Sequence, residues 1–198
     1  MAELGPVTLT GAHIALEPMR LEHASELLEA GRSPQVWQFM PARATTAETM
    51  QGWLVRALEA ERLGREHPFV VRRRTDHRLI GSTRYLDVQK EDRTAEIGWT
   101  WYEPAAWSTA VNPEAKYLLL RHAFEAWHAI RIALKTDIRN LRSQAAISKL
   151  GAAYEGTLRN QRIRADGSYR DTPIYSIIES EWPGVKRSLE ARLAAIRS

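Results

Sequence analysis

A chain of 198 residues, 44% hydrophobic and 26% charged, has the make-up of an ordinary globular domain with a sizeable core, which excludes a chain disordered throughout. It contains no cysteine, so disulfides, thiolate metal sites and a cysteine nucleophile are all excluded. No apolar run approaches the roughly 18 residues of a membrane span, and the net charge of +4 favours anionic partners without specifying nucleic acid.

The first residues, 1–6, lack the basic-then-apolar layout of a secretion signal, so the expected location is cytoplasmic, with no membrane partner. No repeat, low-complexity tract or Pro/Gly/Ser-rich linker divides the chain, and 1–198 reads as a single domain. Residues 7–17 (VTLTGAHIALE) alternate as a strand or hairpin, punctuated at Thr10-Gly11. Residues 20–30 read as a helix with Leu21, Ala24, Leu27 and Leu28 on one face and Gly31 as its stop. A second helix is expected from Thr45, where Thr45 and Glu48 have capping-box spacing. Met50, Trp53, Leu54, Ala57 and Leu58 form its apolar stripe, and Gly64 ends it.

Strands follow at 68–73, 79–88 and 94–101, the first two joined through Thr75-Asp76-His77 and the third ended by Glu103-Pro104. A long helix is expected from Pro113, with Asn112 as N-cap and Tyr117, Leu120, Phe124 and Trp127 at helical spacing. A strand at 130–136, a helix at 141–150 stopped by Gly151, a hairpin around Asp166-Gly167 and a last helix at 182–196 complete the chain. This order predicts an α+β fold, a mixed sheet with helices on its faces.

Three stretches carry chemical information: AEIGW at Ala95–Trp99, NPEA at Asn112–Ala115, and the NLRS…KLGA segment from Asn140 to Ala152. With their surroundings, roughly Leu9 to Ile178, they resemble the GCN5-related N-acetyltransferase (GNAT) superfamily. Within it, the likeness is to the branch of ribosomal-protein N-terminal (alanine/serine) acetyltransferases. The resemblance implies a mixed, mostly antiparallel central sheet with helices on both faces. It also implies acetyl-CoA as co-substrate, no metal, and an amine acceptor. A protein N-terminal α-amine is the acceptor the branch suggests, with a small-molecule amine left open.

The resemblance places site residues position by position. Trp99, Thr100 and Trp101 would offer backbone groups to the amide-rich pantetheine arm, whether or not the two tryptophans also pack in the core. The loop entering the long helix, with Trp107, Ala110, Val111, Asn112, Glu114 and Ala115, would face the pyrophosphate, because a helix N-terminus carries free N–H groups and positive dipole. Here the chain departs from the family loop pattern Gln/Arg-x-x-Gly-x-Gly/Ala, with Trp107, Ala110 and Asn112 at the three defined places. Ala110 adds a methyl, Asn112 could cap the amides itself, and Glu114 adds negative charge. Asn140 would contact the pantetheine region and Ser143 opens the next helix; helix capping is the structural alternative for both. Arg139, Arg142 and Lys149 supply cations suited to the phosphates of coenzyme A.

Without cysteine there is no thioester-enzyme intermediate, and direct attack of the amine in a ternary complex is the simpler route. Glu96 is the candidate general base, with an ion-paired structural carboxylate as its alternative role. Ser143 and Tyr154 are candidate proton donors to the leaving thiolate. No GxGxxG, GxxxxGK[ST] or GxSxG occurs, and the histidines have no ligand spacing. The altered loop motivates an alternative of another class, an acyl-CoA sensor or scaffold that keeps the fold without turnover. Nucleic acid is not expected as a direct ligand, and the chain is expected to be a monomer or homodimer.

Overall fold

The computed structural model describes residues 3–197. Its strands are β1 (Leu9–Thr10), β2 (Ile14–Pro18), β3 (His67–Arg73), β4 (Leu79–Gln89), β5 (Thr94–Tyr102), β6 (Arg131–Lys135), β7 (Ala153–Ile163) and β8 (Tyr169–Ile178). They form one sheet in the order β1-β2-β3-β4-β5-β6-β8-β7. All neighbours are antiparallel except β5 and β6. A parallel pair needs a crossover, and here it is the helix α3 (Val111–Arg121) with the π-helical turn at His122–Ala126. The remaining helices are α1 (Ala24–Ala30), α2 (Ala47–Arg62), α4 (Leu141–Ser148) and α5 (Trp182–Arg197). The expected α+β architecture, mostly antiparallel with helices on both faces, is the one observed.

Strand alternation sends successive side chains to opposite faces. Ile97, Ile132, Leu134 and Ile177 pack on one face with Leu119, Phe124, Trp182 and Leu189 from the α3–α5 side. Val70, Leu79 and Trp101 pack on the other with Leu27, Trp37, Trp53 and Leu54 from the α1–α2 side. Glu96 and Gly98 flank Ile97, so they face the second side, where β5 and β6 extend beyond the cover of α1 and α2.

Two helix starts differ from expectation. The capping box of α2 is Thr46 with Thr49, whose backbone N–H donates to Thr46 Oγ1 at 3.2 Å, rather than Thr45 with Glu48. The helix α3 begins at Val111 after an Ala110 cap, so Asn112 lies inside its first turn and is not the N-cap. The Asn112 side chain instead accepts a hydrogen bond from the Tyr102 hydroxyl at 3.2 Å. The predicted stops agree better: Gly64 and Gly151 follow their helices with φ of +68° and +88°, conformations glycine adopts without strain.

Candidate active site

The pairing of β5 with β6 lasts for only three positions, Thr94↔Arg131, Ala95↔Ile132 and Glu96↔Ala133. Beyond Glu96 the two strands diverge. The gap opens into a cleft of about 590 Å³, walled by Ile97–Tyr102 on one side and Leu134–Asp137 on the other. Polar backbone of β5 facing this gap has no strand partner on that side, so an amide-bearing ligand can complete the ladder.

A β-bulge shapes the β5 wall. Ser82 pairs with Trp101 and Arg84 with Gly98, so Thr83 alone opposes Trp99 and Thr100. Trp99 takes a φ of +48°, rare for a bulky side chain, and the surrounding packing holds it there. The Arg84 guanidinium lies between two indoles, 4.3 Å from the Trp53 ring centroid and 4.9 Å from that of Trp99. The Trp101 side chain is buried against Trp37 and Trp53, and the residue also lines the cleft.

Glu96 lines the cleft and accepts an ion pair from Lys135 Nζ at 2.7 Å. Burial pushes its carboxyl above the ordinary glutamate range, and Lys135 opposes only part of that rise. Gly98 keeps the space beside the carboxylate open, since an added Cβ would stand 3.1 Å from Glu96 Oε1.

Lys116 was not legible as a site residue. It sits one helical turn after Asn112, so the i,i+4 spacing brings both to the cleft wall. Its Nζ donates to Thr100 Oγ1 at 2.7 Å, and Thr100 also shares a hydrogen bond with Thr83 at 2.8 Å. Burial lowers the Lys116 pKa from 10.5 to about 7. Below about pH 7 the folded and unfolded chains both carry this proton. Between that value and 10.5 the unfolded chain binds more protons, so stability rises with pH. The difference in unfolding free energy, wild type minus Lys116→Met, should therefore increase from pH 7 to pH 10 in denaturant titrations. Parallel pH curves would show that Lys116 keeps an ordinary pKa.

The loop before α3 departs from the expected anion site. Thr109 Oγ1 accepts the Val111 N–H at 3.3 Å, Pro113 has no N–H, and the Glu114 N–H donates to the Ala110 carbonyl at 2.9 Å. Ala110, Val111, Glu114 and Ala115 do not line the cleft, whereas Trp107 and Asn112 do. Val111 and Ala115 are core residues. Glu114 turns the other way: its carboxylate accepts the backbone N–H groups of Ala12, His13 and Ile14 at 2.7, 2.8 and 2.9 Å. Its charge is therefore directed to the β1–β2 turn, away from any phosphate.

The opposite wall is α4. Asn140 is its N-cap, its Oδ1 accepting the Ser143 N–H at 3.0 Å, and both side chains line the cleft. Arg142 and Lys149 line it too, and the Arg142 guanidinium stacks 3.9 Å from the Trp107 ring centroid. That contact bridges α4 to the loop before α3 and leaves a fixed planar cation at the cleft mouth. Arg139 does not line the cleft and sits 3.5 Å from Asp166. Tyr154 is likewise outside it. Paired with Tyr175, it lies on the sheet face opposite Glu96, is 60% exposed and bonds Thr157. Among the described residues, no helix is long and apolar enough to cross a membrane, and no cluster of three or more His, Cys, Asp or Glu could hold a metal.

Residues 13–153 match the family model described as acetyltransferase (GNAT) domain. The chain is 26% identical over 175 residues to the Bacillus subtilis (strain 168) protein named "Putative ribosomal N-acetyltransferase YdaF", covering 86% of this chain and 92% of that one. Among solved structures it is similar to a "putative acetyltransferase" from T. thermophilus, with 37% identity, a TM-score of 0.86, and 96% of this chain and 98% of that one covered. It also shares its fold with RimJ of Mycobacterium smegmatis, solved in complex with CoA-disulfide (TM-score 0.83, 23% identity, 97% of both chains).

Proposed function

The chain belongs to the acetyltransferase (GNAT) family, and from that membership we propose that it moves an acetyl group from acetyl-CoA to a primary amine by direct attack in a ternary complex. The acceptor we assign is a protein N-terminal α-amine, the acceptor implied by the resemblance to ribosomal-protein acetyltransferases; the B. subtilis relative is named a putative ribosomal N-acetyltransferase. One observation carries the reading: a largely buried carboxylate, Glu96, stands at the point where β5 and β6 part.

The divided wall gives each end of the cleft a task. The pantetheine arm would pair with the backbone of β5 between Trp99 and Trp101, with Asn140 and Ser143 across from it. The phosphates would lie toward Arg142 and Lys149, because the first turn of α3 has few N–H groups to offer them. The thioester carbonyl then falls near the bulge, where a backbone N–H meets the oxyanion of the tetrahedral intermediate.

The amine must be neutral to attack. An α-amine titrates near 7.7–8.0 and needs only a modest base, which Glu96 provides directly or through one water. Collapse of the intermediate breaks the C–S bond; Ser143 passes a proton to the departing thiolate and is reprotonated from solvent, and Glu96 returns the proton taken from the amine to solvent. The amide product keeps the acetyl group and free coenzyme A leaves.

A titration of acetyl-CoA into the purified protein tests the cofactor half of this reading. A specific ligand at about 100 times its Kd raises stability by about 2.7 kcal/mol. Binding should weaken when the 3′-phosphate is removed and in Asn140→Ala. Affinity unchanged by Asn140→Ala would remove Asn140 from the cofactor site, and no binding at millimolar acetyl-CoA would reject the cleft as its site.

A further inference from the structure

The β7–β8 hairpin closes the far end of the cleft, and its register is broken there. Leu158 pairs with Thr172 and Arg162 with Arg170, so residues 159–161 of β7 face Asp171 alone. Asn160 in this bulge takes a φ of +49°, and its N–H donates to Asp171 Oδ1 at 2.8 Å. The bend turns Gln161, Arg162, Arg170 and Thr172 into the cleft wall.

Arg162 and Arg170 are thus cross-strand partners, an arrangement that repels unless an anion lies between or beside them. Asp137, the carboxylate beside Arg170, already has other partners. Asp137 holds Arg164 through two bonds of 2.7 Å and the Arg139 N–H at 2.8 Å, leaving Arg170 4.0 Å away. Arg162 has no ion pair among the described residues. Arg170 is nevertheless fixed: its Nε donates to Thr172 Oγ1 at 3.0 Å, and Thr172 donates to Gln161 Oε1 at 3.0 Å. Both guanidiniums act electrostatically on Glu96 or are acted on by it, so they face the same space as the candidate base.

We infer that Arg162 and Arg170 form a carboxylate-binding subsite for the acceptor, which selects peptides with an acidic residue within the first few positions after the reacting amine. This rests on the acetyltransferase reading for the position of that amine. Paired guanidiniums suit a carboxylate because their donors match its two oxygens in a plane. An extended peptide rises about 3.3 Å per residue, so an amine at Glu96 leaves its next residues running toward the hairpin.

The test is calorimetric binding to the protein saturated with coenzyme A, using a peptide that begins Ser-Asp-Glu and its isosteric neutral counterpart that begins Ser-Asn-Gln. The acidic peptide should bind at least about 10-fold more tightly, a preference that falls with salt. Arg162→Ala and Arg170→Ala should each reduce the preference, and Arg162→Glu should move it toward a peptide beginning Ser-Lys-Lys. Equal affinity for the acidic and neutral peptides, or a preference untouched by these substitutions, would overturn the subsite. Acid-selective binding without acetyl transfer supports the subsite and counts against the transferase reading. Transfer without acid selectivity does the reverse.

Discussion

Glu96→Gln is expected to lower kcat for acetyl transfer by about 10²- to 10⁴-fold, the usual contribution of a positioned general base. The substitution keeps the side-chain volume and an oxygen facing Lys135. It removes the only change the mechanism needs, the capacity to take a proton. The affinity for acetyl-CoA should stay near that of the wild type, because the cofactor is assigned to the backbone of β5 and to α4. The pH profile separates this role from a structural one. As the proposed base, Glu96 would act only when ionised, and burial has raised its pKa. Wild-type kcat/KM should therefore fall as pH drops through a value above the ordinary glutamate range. In the variant that limb should vanish, leaving only the fall set by protonation of the amine itself near 7.7–8.0. A variant that retains the limb, or the rate, would return Glu96 to a structural ion pair with Lys135.

Glu114→Ala is expected to destabilise the fold by about 3–5 kcal/mol, the range for removing one partner from a buried charged network. Three backbone N–H groups, those of Ala12, His13 and Ile14, donate to its carboxylate, and Glu114 itself is 2% exposed. Hydrogen bonds to a charged acceptor contribute about 1.5–3 kcal/mol each, and the buried Ile14 N–H would be left without its acceptor. Gly11 lets the turn approach, since an added Cβ there would come within 2.4 Å of Glu114 Cδ. At about 2–4 °C per kcal/mol for a domain of this size, the melting temperature should fall by roughly 10 °C. Thermal melts of Glu114→Ala and Glu114→Gln check this, with the glutamine, which keeps an acceptor, falling between alanine and wild type. A melting temperature within a degree or two of wild type would show that the turn is held by something else.

These cases mark what the sequence made legible. Element order followed from local signals, such as the alternation along β5, the apolar stripe of α2 and the glycines at helix ends. The Glu114 contact could not be read, because its partners stand about one hundred positions away and no local pattern links them. The bulge at Trp99 was equally hidden, since AEIGWTWY alternates like a regular strand and only the pairing with β4 exposes the extra residue. Asn112 illustrates a local rule overridden: an Asn-Pro pair reads as a cap and first helical position, yet Thr109 and Ala110 start the helix two residues earlier. Lys116 directly follows the NPEA stretch, and helical spacing from Asn112 is the signal that would have found it.

The most direct measurement is mass spectrometry of a peptide with a free N-terminus after incubation with the protein and acetyl-CoA, with thiol release followed in parallel. The account predicts one acetyl group on the α-amine, free coenzyme A in equal amount, and no reaction when the N-terminus is blocked. Acetyl-CoA bound in the cleft with no acetylated amine in any peptide, and no thiol released, would contradict it.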